Sequence, residues 1–300
     1  MMPVTRILCP VDFSEVSRHA LDHAVALAHQ YRASVTALHV IAPVVSLIPS
    51  PEAPLYPPVV LTPEDIEQYR HELQGFVGEE VGAETVACHV LEGAPLGTII
   101  EYASTNGVDL IVLGTHGRSG LERVMLGSVT ERVLRKSPCP VLTVPPRMPD
   151  AVPAGPITYA RIVCGVDFSA SSQRAVTYAA GLARDTQAQL TLVHVVEALP
   201  VFEPVPMGGP GVAEVQQMAM DAARGSLSKM VAAELKDGPR PVELVLSGKP
   251  YRELLRVAAE SHADLIVLGA HSGPAGLLAF GSTLNHVVRQ AACPVLTVRA

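Results

Sequence analysis

The sequence predicts an α/β fold that is built twice, each copy a five-stranded parallel sheet with helices on both faces. Residues 6–14 read RILCPVDFS and residues 161–169 read RIVCGVDFS, while residues 108–116 read VDLIVLGTH and residues 263–271 read ADLIVLGAH. Both pairs are separated by the same 155 positions (161 − 6 and 263 − 108), which indicates a duplicated domain. Within each copy, Val-rich runs alternate with Ala- and Leu-rich stretches, a pattern typical of buried parallel strands beneath helices.

The first copy opens with a strand, a helix and a second strand. The first strand is predicted over the apolar run Arg6–Val11. A helix is predicted over Glu15–Tyr31, because apolar side chains recur at helical spacing from Val16 to Leu27 and so share one face. The second strand is predicted over Ser34–Ile41.

A proline-rich segment separates these elements from the rest of the first copy. Residues 42–62 carry six prolines, and a loop of this length is uncommon in compact domains unless it covers a site or is mobile. Thr62 is predicted to cap the next helix, Pro63–Val81. Pro95 suits the first turn of a third helix. The remaining predicted elements are strand Glu84–Leu91, helix Pro95–Thr105, strand Asp109–Leu113, a helix over about Val129–Lys136 and strand Val141–Val144.

The second copy repeats this βαβαβαβαβ pattern from Arg161 to Val298, with its own Pro- and Gly-rich loop over Glu197–Gly211. Three hundred residues are enough for two domains that each bury a core. The predicted boundaries are 1–145 for the N-terminal domain, 146–160 for a linker and 161–300 for the C-terminal domain. Five prolines between residues 145 and 160, without hydrophobic periodicity, indicate the linker.

Composition and charge argue against two classes of partner. The formal net charge is −7, and an acidic chain without basic clusters is not typical of general nucleic-acid binding. The longest apolar run, Ala37–Pro49, is interrupted by Pro43 and is too short to span a bilayer. Met1–Pro10 does not resemble a signal peptide. We therefore expect a cytoplasmic protein with neither nucleic acid nor membrane as a partner.

Five cysteines, an odd number, occur without a C-x-x-C pair. Cys9 and Cys164 are repeat equivalents in the first strand of each copy, and Cys139 and Cys293 are equivalents before the last strand. The pattern favours small buried apolar groups in a reducing compartment.

Strands that alternate with helices require a parallel sheet with right-handed crossovers. The predicted class is therefore a pair of tandem flavodoxin-like or Rossmann-like domains. Such sheets bind ligands beyond the carboxyl ends of the strands, at the point where the strand order reverses. This rule points to the turns after strands one and four, the two segments in which the copies agree best.

The segment after strand four is rich in glycine. Gly114 and Gly117 are followed by Gly127, which directly precedes a helix. Glycine lets backbone N–H groups approach a ligand, and the N–H groups at a helix start favour an anion. Arg118 and Arg123 add positive charge, so the segment indicates a polyphosphate site. The alternative is structural: Ser128-Val-Thr-Glu131 fits a capping box, which by itself accounts for the serine.

The glycine spacing resembles the ATP-binding motif of the universal stress protein family. Gly114-x-x-Gly117, nine residues, and Gly127-Ser128 carry that resemblance. It extends over nearly the whole chain in a tandem two-domain arrangement. Three further segments resemble the same family: Val11-Asp12, His39-Val40 and Pro138–Val144.

The resemblance implies ATP as the ligand, with Mg²⁺ or Mn²⁺ as a candidate accompanying ion. It implies that Val11 and Val40 border the adenine, and that Asp12 and the Gly114 backbone reach the ribose hydroxyls. For Asp12 the alternative is a turn or helix-capping carboxylate. The phosphates are implied to lie on Gly117, Gly127, Ser128 and Val129. The candidate binding residues of the first copy are Pro10, Val11, Asp12, Val40, Gly114, His116, Gly117, Arg118, Ser119, Gly127, Ser128 and Val129.

The second copy departs from this pattern. Ser272 stands where Gly117 stands in the first copy, and Pro274 removes a backbone donor. Residues 269–282 contain no Asp, Glu, Lys or Arg. Because charge-assisted hydrogen bonds are the strong ones for phosphate, we expect ATP mainly in the N-terminal domain. The alternative is that the helix-end N–H groups suffice. The candidate residues of the second copy are Gly165, Val166, Asp167, Val195, Gly269, His271, Gly273, Gly281, Ser282 and Thr283.

Motifs of known enzyme classes are missing from the sequence. There is no complete Walker motif, G-x-S-x-G or H-E-x-x-H. His116 and His271 are expected to face solvent or phosphate, while His39 and His194 are expected to be packed or hydrogen-bonded. No catalytic residue is assigned, and no metal site is expected from protein side chains alone.

The expected function is an ATP-binding stress-response or regulatory protein, with at most weak ATPase activity. Two alternatives stay open: a slow ATP-hydrolysing or nucleotide-transferring enzyme on the same fold, and a nucleotide-free pseudo-dimeric scaffold. The last strands, Val141–Val144 and Val295–Val298, would leave exposed sheet edges. Pairing them across the copies would give an intramolecular pseudo-dimer, and a homodimer is a further candidate state.

Overall fold

The computed structural model describes residues 4–43, 61–78, 86–116, 126–146, 158–197, 211–235, 240–270 and 281–299. The chain divides into two compact units, which lie within residues 2–157 and 158–300. In each unit, five described strands pair in parallel and are flanked by helices. The predicted α/β class with two tandem domains is therefore confirmed. The predicted linker falls mainly on residues 147–157, outside the described residues, and its bounds stay a prediction.

In the N-terminal domain the strand order is β3-β2-β1-β4-β5. All four neighbouring pairs are parallel. The chain runs outward from β1 to β3 and then crosses back to place β4 on the other side of β1. The strand order therefore reverses between β1 and β4. The described elements are β1 (Arg6–Pro10), α1 (Glu15–Tyr31), β2 (Ser34–Ile41), α2 (Pro63–Val77), β3 (Val86–Glu92), α3 (Pro95–Thr105), β4 (Leu110–Gly114), α4 (Ser128–Lys136) and β5 (Val141–Val144).

The C-terminal domain repeats the arrangement with the strand order β10-β9-β6-β7-β8. Its neighbouring strands are again parallel. The reversal lies between β6 and β9, the equivalents of β1 and β4. The described elements are β6 (Arg161–Val166), α5 (Ala170–Thr186), β7 (Gln189–Val196), α6 (Val212–Glu234), β8 (Val242–Ser247), α7 (Pro250–Glu260), β9 (Leu265–Ala270), α8 (Ser282–Gln290) and β10 (Val295–Arg299).

The start of α2 confirms the predicted cap. The Thr62 side chain accepts a hydrogen bond from the Asp65 backbone N–H at 3.2 Å, and the Asp65 carboxylate accepts one from the Thr62 backbone N–H at 2.9 Å. The helix ends at Val77 instead of Val81, because Gly78 adopts a left-handed φ of 81° and breaks the helical path. Of the predicted extension, residues 79–81 lie outside the described residues.

The cores consist of aliphatic side chains from the central strands, including Ile7 and Ile111 in one domain and Ile162 and Leu265 in the other. Helices lie on both sides of the N-terminal sheet, α1 packing with α2 and α3 packing with α4. None of the described helices is long and apolar enough to cross a membrane.

Three of the five cysteines, Cys9, Cys139 and Cys164, are buried as the sequence predicts, whereas Cys88 and Cys293 are partly exposed. Cys9 and Cys164 are free and fully buried in β1 and β6. Burial raises the pKa of both thiols far above the usual range. Burial also raises the pKa of Cys139 to about 11 and that of Cys293 to about 12. These side chains therefore act as neutral packing groups at physiological pH.

Candidate functional site

The turn after β1 is held by its own side chains. One carboxylate oxygen of Asp12 accepts hydrogen bonds from the backbone N–H of Ser14 at 3.1 Å and from its hydroxyl at 2.6 Å. The Ser14 hydroxyl oxygen accepts from the Ser17 N–H at 3.1 Å and so caps α1. Phe13, between them, has a φ of 64°, which is unusual for a residue with a side chain. Asp12 therefore stabilises this turn, as the structural alternative expected. It also lies where the strand order reverses, between β1 and β4.

His39 ties the end of β2 to this turn. Its Nδ1 lies 2.8 Å from the carbonyl oxygen of Val11. Because a carbonyl can only accept, Nδ1 carries the proton. The imidazole is 8% exposed and lies 4.5 Å, centroid to centroid, from the ring of Phe13. His39 is therefore packed and hydrogen-bonded, as predicted.

The end of β4 approaches α1 too closely for a side chain. A Cβ built on Gly114 would lie 2.6 Å from Cγ1 of Val16 and 3.2 Å from the Val16 backbone. The Gly114 carbonyl accepts a hydrogen bond from the buried hydroxyl of Thr130, in α4, at 2.8 Å. The Gly127 N–H donates to the Thr115 carbonyl at 2.8 Å. These two bonds bring the start of α4 back beside the end of β4.

The first turn of α4 has no side-chain cap from the described residues. Its N-cap residue is Gly127, and Ser128 is the first helical residue. The capping-box alternative is therefore wrong: Glu131 instead pairs with Arg135 at 2.7 Å, one turn further along. Since an α-helix leaves its first N–H groups without intrahelical partners, those of Ser128 and Val129 stand at the sheet edge without a side-chain acceptor from the described residues.

These segments surround one cavity of about 230 Å³ at the carboxyl ends of the strands. Nine of the predicted residues line it, which means that the structure brings every described candidate of the first copy together. The other three, Gly117, Arg118 and Ser119, lie outside the described residues. The nine are Pro10, Val11, Asp12, Val40, Gly114, His116, Gly127, Ser128 and Val129.

The sequence missed seven lining residues. Pro95 and Ile99 come from α3, which the glycine pattern does not implicate. A signal was nevertheless present, since Gly93-x-Pro95 recurs as Gly248-x-Pro250 at the same offset. The full set of missed residues is Ser17, Leu38, His39, Pro95, Ile99, Leu113 and Thr130.

His116 also lines this cavity, and one of its ring nitrogens has no partner among the described residues. Its Nδ1 is 2.9 Å from the Thr115 hydroxyl. Its Nε2 is buried and has no hydrogen-bond partner among the described residues. Burial lowers the pKa of His116 below its usual value, which favours the neutral imidazole, and Nε2 is then a donor or an acceptor according to whether the Thr115 hydroxyl donates to Nδ1 or accepts from it.

The C-terminal domain carries the same framework around a second cavity, of about 320 Å³. Asp167 accepts from the N–H of Ser169 at 3.0 Å, Phe168 has a φ of 62°, and His194 Nδ1 lies 2.8 Å from the carbonyl of Val166. Predicted residues His271 and Gly273 lie outside the described residues. The other eight line this cavity: Gly165, Val166, Asp167, Val195, Gly269, Gly281, Ser282 and Thr283.

Comparison with known proteins identifies the family. A family model described as "Universal stress protein family" matches residues 3–145 and again residues 158–299. The chain belongs to the universal stress protein family. The two matches agree with a tandem arrangement of two universal stress protein domains.

The relatives include proteins that match about half of this chain and proteins that match most of it. A universal stress protein of Methanocaldococcus jannaschii is 38% identical over 142 residues, covering 46% of this chain and 81% of the relative. One from Mycobacterium tuberculosis is 32% identical over 228 residues, covering 74% of this chain and 72% of the relative. The crystal structure of a universal stress protein from Archaeoglobus fulgidus shares the fold at 22% identity, covering 99% of this chain and 96% of that chain with a TM-score of 0.68.

Two shorter universal stress proteins have been solved as nucleotide complexes. One is in complex with cAMP, at 25% identity, covering 48% of this chain and 99% of that chain with a TM-score of 0.35. The other, from Archaeoglobus fulgidus, is in complex with dAMP, at 26% identity, covering 47% of this chain and 99% of that chain with a TM-score of 0.36. Adenine nucleotides are therefore ligands of these two proteins.

The two universal stress protein domains of this chain differ at the walls of their cavities. Leu284 stands in α8 where Thr130 stands in α4, so the hydroxyl bond to the β4 carbonyl has no counterpart. Glu197, the first residue after β7, lines the second cavity. Its repeat equivalent after β2 is Ala42.

Charged side chains are few at either site. Among the described lining residues, Asp12 is the one carboxylate of the first cavity, whereas Asp167 and Glu197 are both in the second. The described lining of the second cavity contains no Lys, Arg or His. No group of three or more His, Cys, Asp or Glu suited to a metal ion occurs in the part of the chain that the structure describes.

Proposed function

We propose that this universal stress protein is an ATP-binding regulatory protein of the stress response, with the nucleotide held in the cavity of the N-terminal domain. One observation carries the proposal. The uncapped start of α4, at Gly127–Val129, opens onto the same cavity as the Asp12 turn and Val40. A ligand with a flat aromatic base, a sugar and an anionic tail matches these three parts of the cavity.

The nucleoside end fits the side formed by β1 and β2. Val11, Val40 and Leu113 give an apolar wall for adenine. The Asp12 carboxylate accepts hydrogen bonds and can take them from ribose hydroxyls. Its turn is fixed beforehand by Ser14, so little ordering is needed on binding.

The phosphate end fits the start of α4. The N–H groups of Ser128 and Val129, together with the positive end of the helix dipole, attract an anion. A basic pair, Arg135 and Lys136, occupies the last turn and complements the opposite end of the dipole. Neutral His116 can add a hydrogen-bonding ring nitrogen to the lining of the cavity without adding charge.

A divalent ion would depend mainly on the nucleotide. The described lining supplies one carboxylate, Asp12, which already accepts two hydrogen bonds from Ser14. Mg²⁺ is commonly bound by one or two carboxylates together with substrate phosphates. We therefore propose that Mg²⁺ or Mn²⁺, where it takes part, enters with ATP.

Ser128→Asp tests the phosphate position. A carboxylate in the first turn favours the helix by about 0.3–1 kcal/mol, yet it occupies the anion position and repels phosphate. We expect ATP affinity, measured by titration calorimetry on the full chain, to fall by at least about tenfold.

The matched control is Ser282→Asp, at the equivalent start of α8. It changes the net charge identically but lies in the other domain, so we expect it to leave the tighter ATP-binding event unchanged. If Ser128→Asp and Ser282→Asp weaken that event equally, or neither weakens it, ATP does not depend on α4 and the proposal fails.

A further inference from the structure

We propose that the second cavity is a nucleoside site: it accepts a neutral adenine nucleoside and discriminates against a triphosphate. The inference rests on the proposed function, because the repeat equivalents of the residues proposed to hold the nucleoside line the second cavity. The ligand proposed for the second cavity differs from that of the first, because the two cavities are lined by different charges.

The nucleoside half of the framework is retained. The Asp167–Ser169 turn and the bond between His194 Nδ1 and the Val166 carbonyl reproduce their first-domain counterparts, the latter at the same 2.8 Å. Val195 lines the second cavity as Val40 lines the first. A base and a ribose therefore meet an equivalent aspartate turn and an equivalent valine in both domains.

The phosphate half is altered. Leu284 cannot make the hydrogen bond by which Thr130 joins α4 to the β4 carbonyl. The segment 269–282 contains no Lys or Arg, whereas residues 114–128 include Arg118 and Arg123. Lys249 is exposed at the N-cap of α7 and does not line the cavity.

Glu197 adds the decisive charge. It lines the second cavity as the first residue after β7, is exposed to solvent, and has Ala42 as its first-domain equivalent. With Asp167 it puts two carboxylates on a wall whose described residues offer no cation. A neutral nucleoside meets no repulsion there, and its hydroxyls can donate to both carboxylates. Both carboxylates are exposed, so solvent screens their repulsion of a triphosphate, and we expect that repulsion to lower the affinity by about tenfold.

Cavity size does not explain the preference. The second cavity, at about 320 Å³, is larger than the first, at about 230 Å³. A site that rejected ATP by volume would show the opposite order. The preference therefore rests on the charges and on the altered phosphate half, not on the volume of the cavity.

The test is a pair of calorimetric titrations of the full chain, with adenosine and with ATP. We expect adenosine to fill one site per domain and ATP to fill one site per chain. Ser282→Trp, which fills the second cavity from the first turn of α8, should remove one adenosine and leave ATP stoichiometry unchanged. Its thermal unfolding midpoint checks that the chain is folded.

Exchanging the charge between the domains gives the sharper result. Glu197→Ala should strengthen ATP at the second site by about tenfold, so that a second ATP becomes measurable. Ala42→Glu, the reciprocal change, should weaken ATP at the first site by a similar factor. In both variants adenosine should be affected less than ATP.

Three outcomes overturn the inference: ATP filling both sites of the unaltered chain, adenosine binding that Ser282→Trp does not reduce, or an ATP-to-adenosine affinity ratio that Glu197→Ala leaves unchanged. Failure of the proposed function is a separate result. In that case no ATP-binding event would depend on Ser128. Adenosine binding at the second cavity would still be measurable as the binding that Ser282→Trp removes.

Discussion

Gly114 is the last residue of β4 and Gly269 the penultimate residue of β9, and each packs closely against a helix, α1 and α5 respectively. At Gly114 the nearest atom to an added Cβ is Cγ1 of Val16, at 2.6 Å, with backbone atoms at 3.2 Å. At Gly269 the nearest atoms are backbone, the Ser171 carbonyl carbon and the Ser172 nitrogen, both at 2.6 Å. A side chain can rotate away, but a helix backbone must shift as a whole.

Alanine at these positions should therefore destabilise the protein to different degrees. We expect Gly114→Ala to lower the free energy of unfolding by about 1–3 kcal/mol, the usual cost of forcing extra atoms into a packed core. Gly269→Ala should cost more, because its neighbours are backbone atoms. Urea unfolding followed by circular dichroism gives both values.

Gly225 provides the matched control. It lies inside α6, and an added Cβ would meet no atom within 4 Å. Gly225→Ala should raise the free energy of unfolding by about 0.5–1 kcal/mol, the helical advantage of alanine over glycine. If Gly114→Ala also stabilised the chain, the close approach of α1 to β4 would be contradicted.

The starts of α2 and α4 show which part of an element a sequence can predict. Thr62 and Asp65 form the capping box that local spacing indicates. The same spacing at Ser128 and Glu131 does not, because the helix begins at Ser128, one residue earlier than the motif requires. That start is set by the bond from the Gly127 N–H to the Thr115 carbonyl, a tertiary contact that local spacing does not contain.

Alanine substitutions at the two helix starts should differ accordingly. Thr62→Ala removes a side-chain cap and should lower the free energy of unfolding by about 1 kcal/mol. Ser128→Ala removes no cap and should change it by less than about 0.5 kcal/mol, while still altering a residue that lines the cavity. Parallel denaturant titrations of the two variants provide the measurement. A cost of about 1 kcal/mol for Ser128→Ala would mean that this serine caps α4 after all.

Strand and helix bounds were predictable where the pattern was local. Glu15–Tyr31, Ser34–Ile41 and Pro95–Thr105 agree residue for residue with the structure, because their apolar periodicity and proline positions are visible in the sequence. The cavity was predictable only in part. Residues that follow a strand were found, whereas Ile99 of α3 reaches the cavity through tertiary packing that no local motif records.

At the scale of the whole molecule, the duplication separates what the fold requires from what ligands require. The strained Phe13 and Phe168 turns and the His39 and His194 bonds occur in both domains, so they belong to the shared framework. We therefore attribute the proposed functional contrast between the domains to the differences at the cavity walls. Pairing of the last strands across the copies, and a further homodimer, stay predictions.

Hydrogen exchange followed by mass spectrometry can read this contrast along the entire chain in one experiment. A ligand that binds only the folded state stabilises it by about 2.7 kcal/mol when present at 100 times its Kd. Saturating ATP should thus slow exchange by up to about 100-fold in peptides from residues 4–43 and 126–146. Peptides from residues 158–197 and 281–299 should change little with ATP and should be protected by adenosine. Equal protection of both domains by ATP would show that the carboxylates of the second cavity do not select against phosphate, whereas protection confined to the C-terminal domain would reverse the assignment of the ATP site.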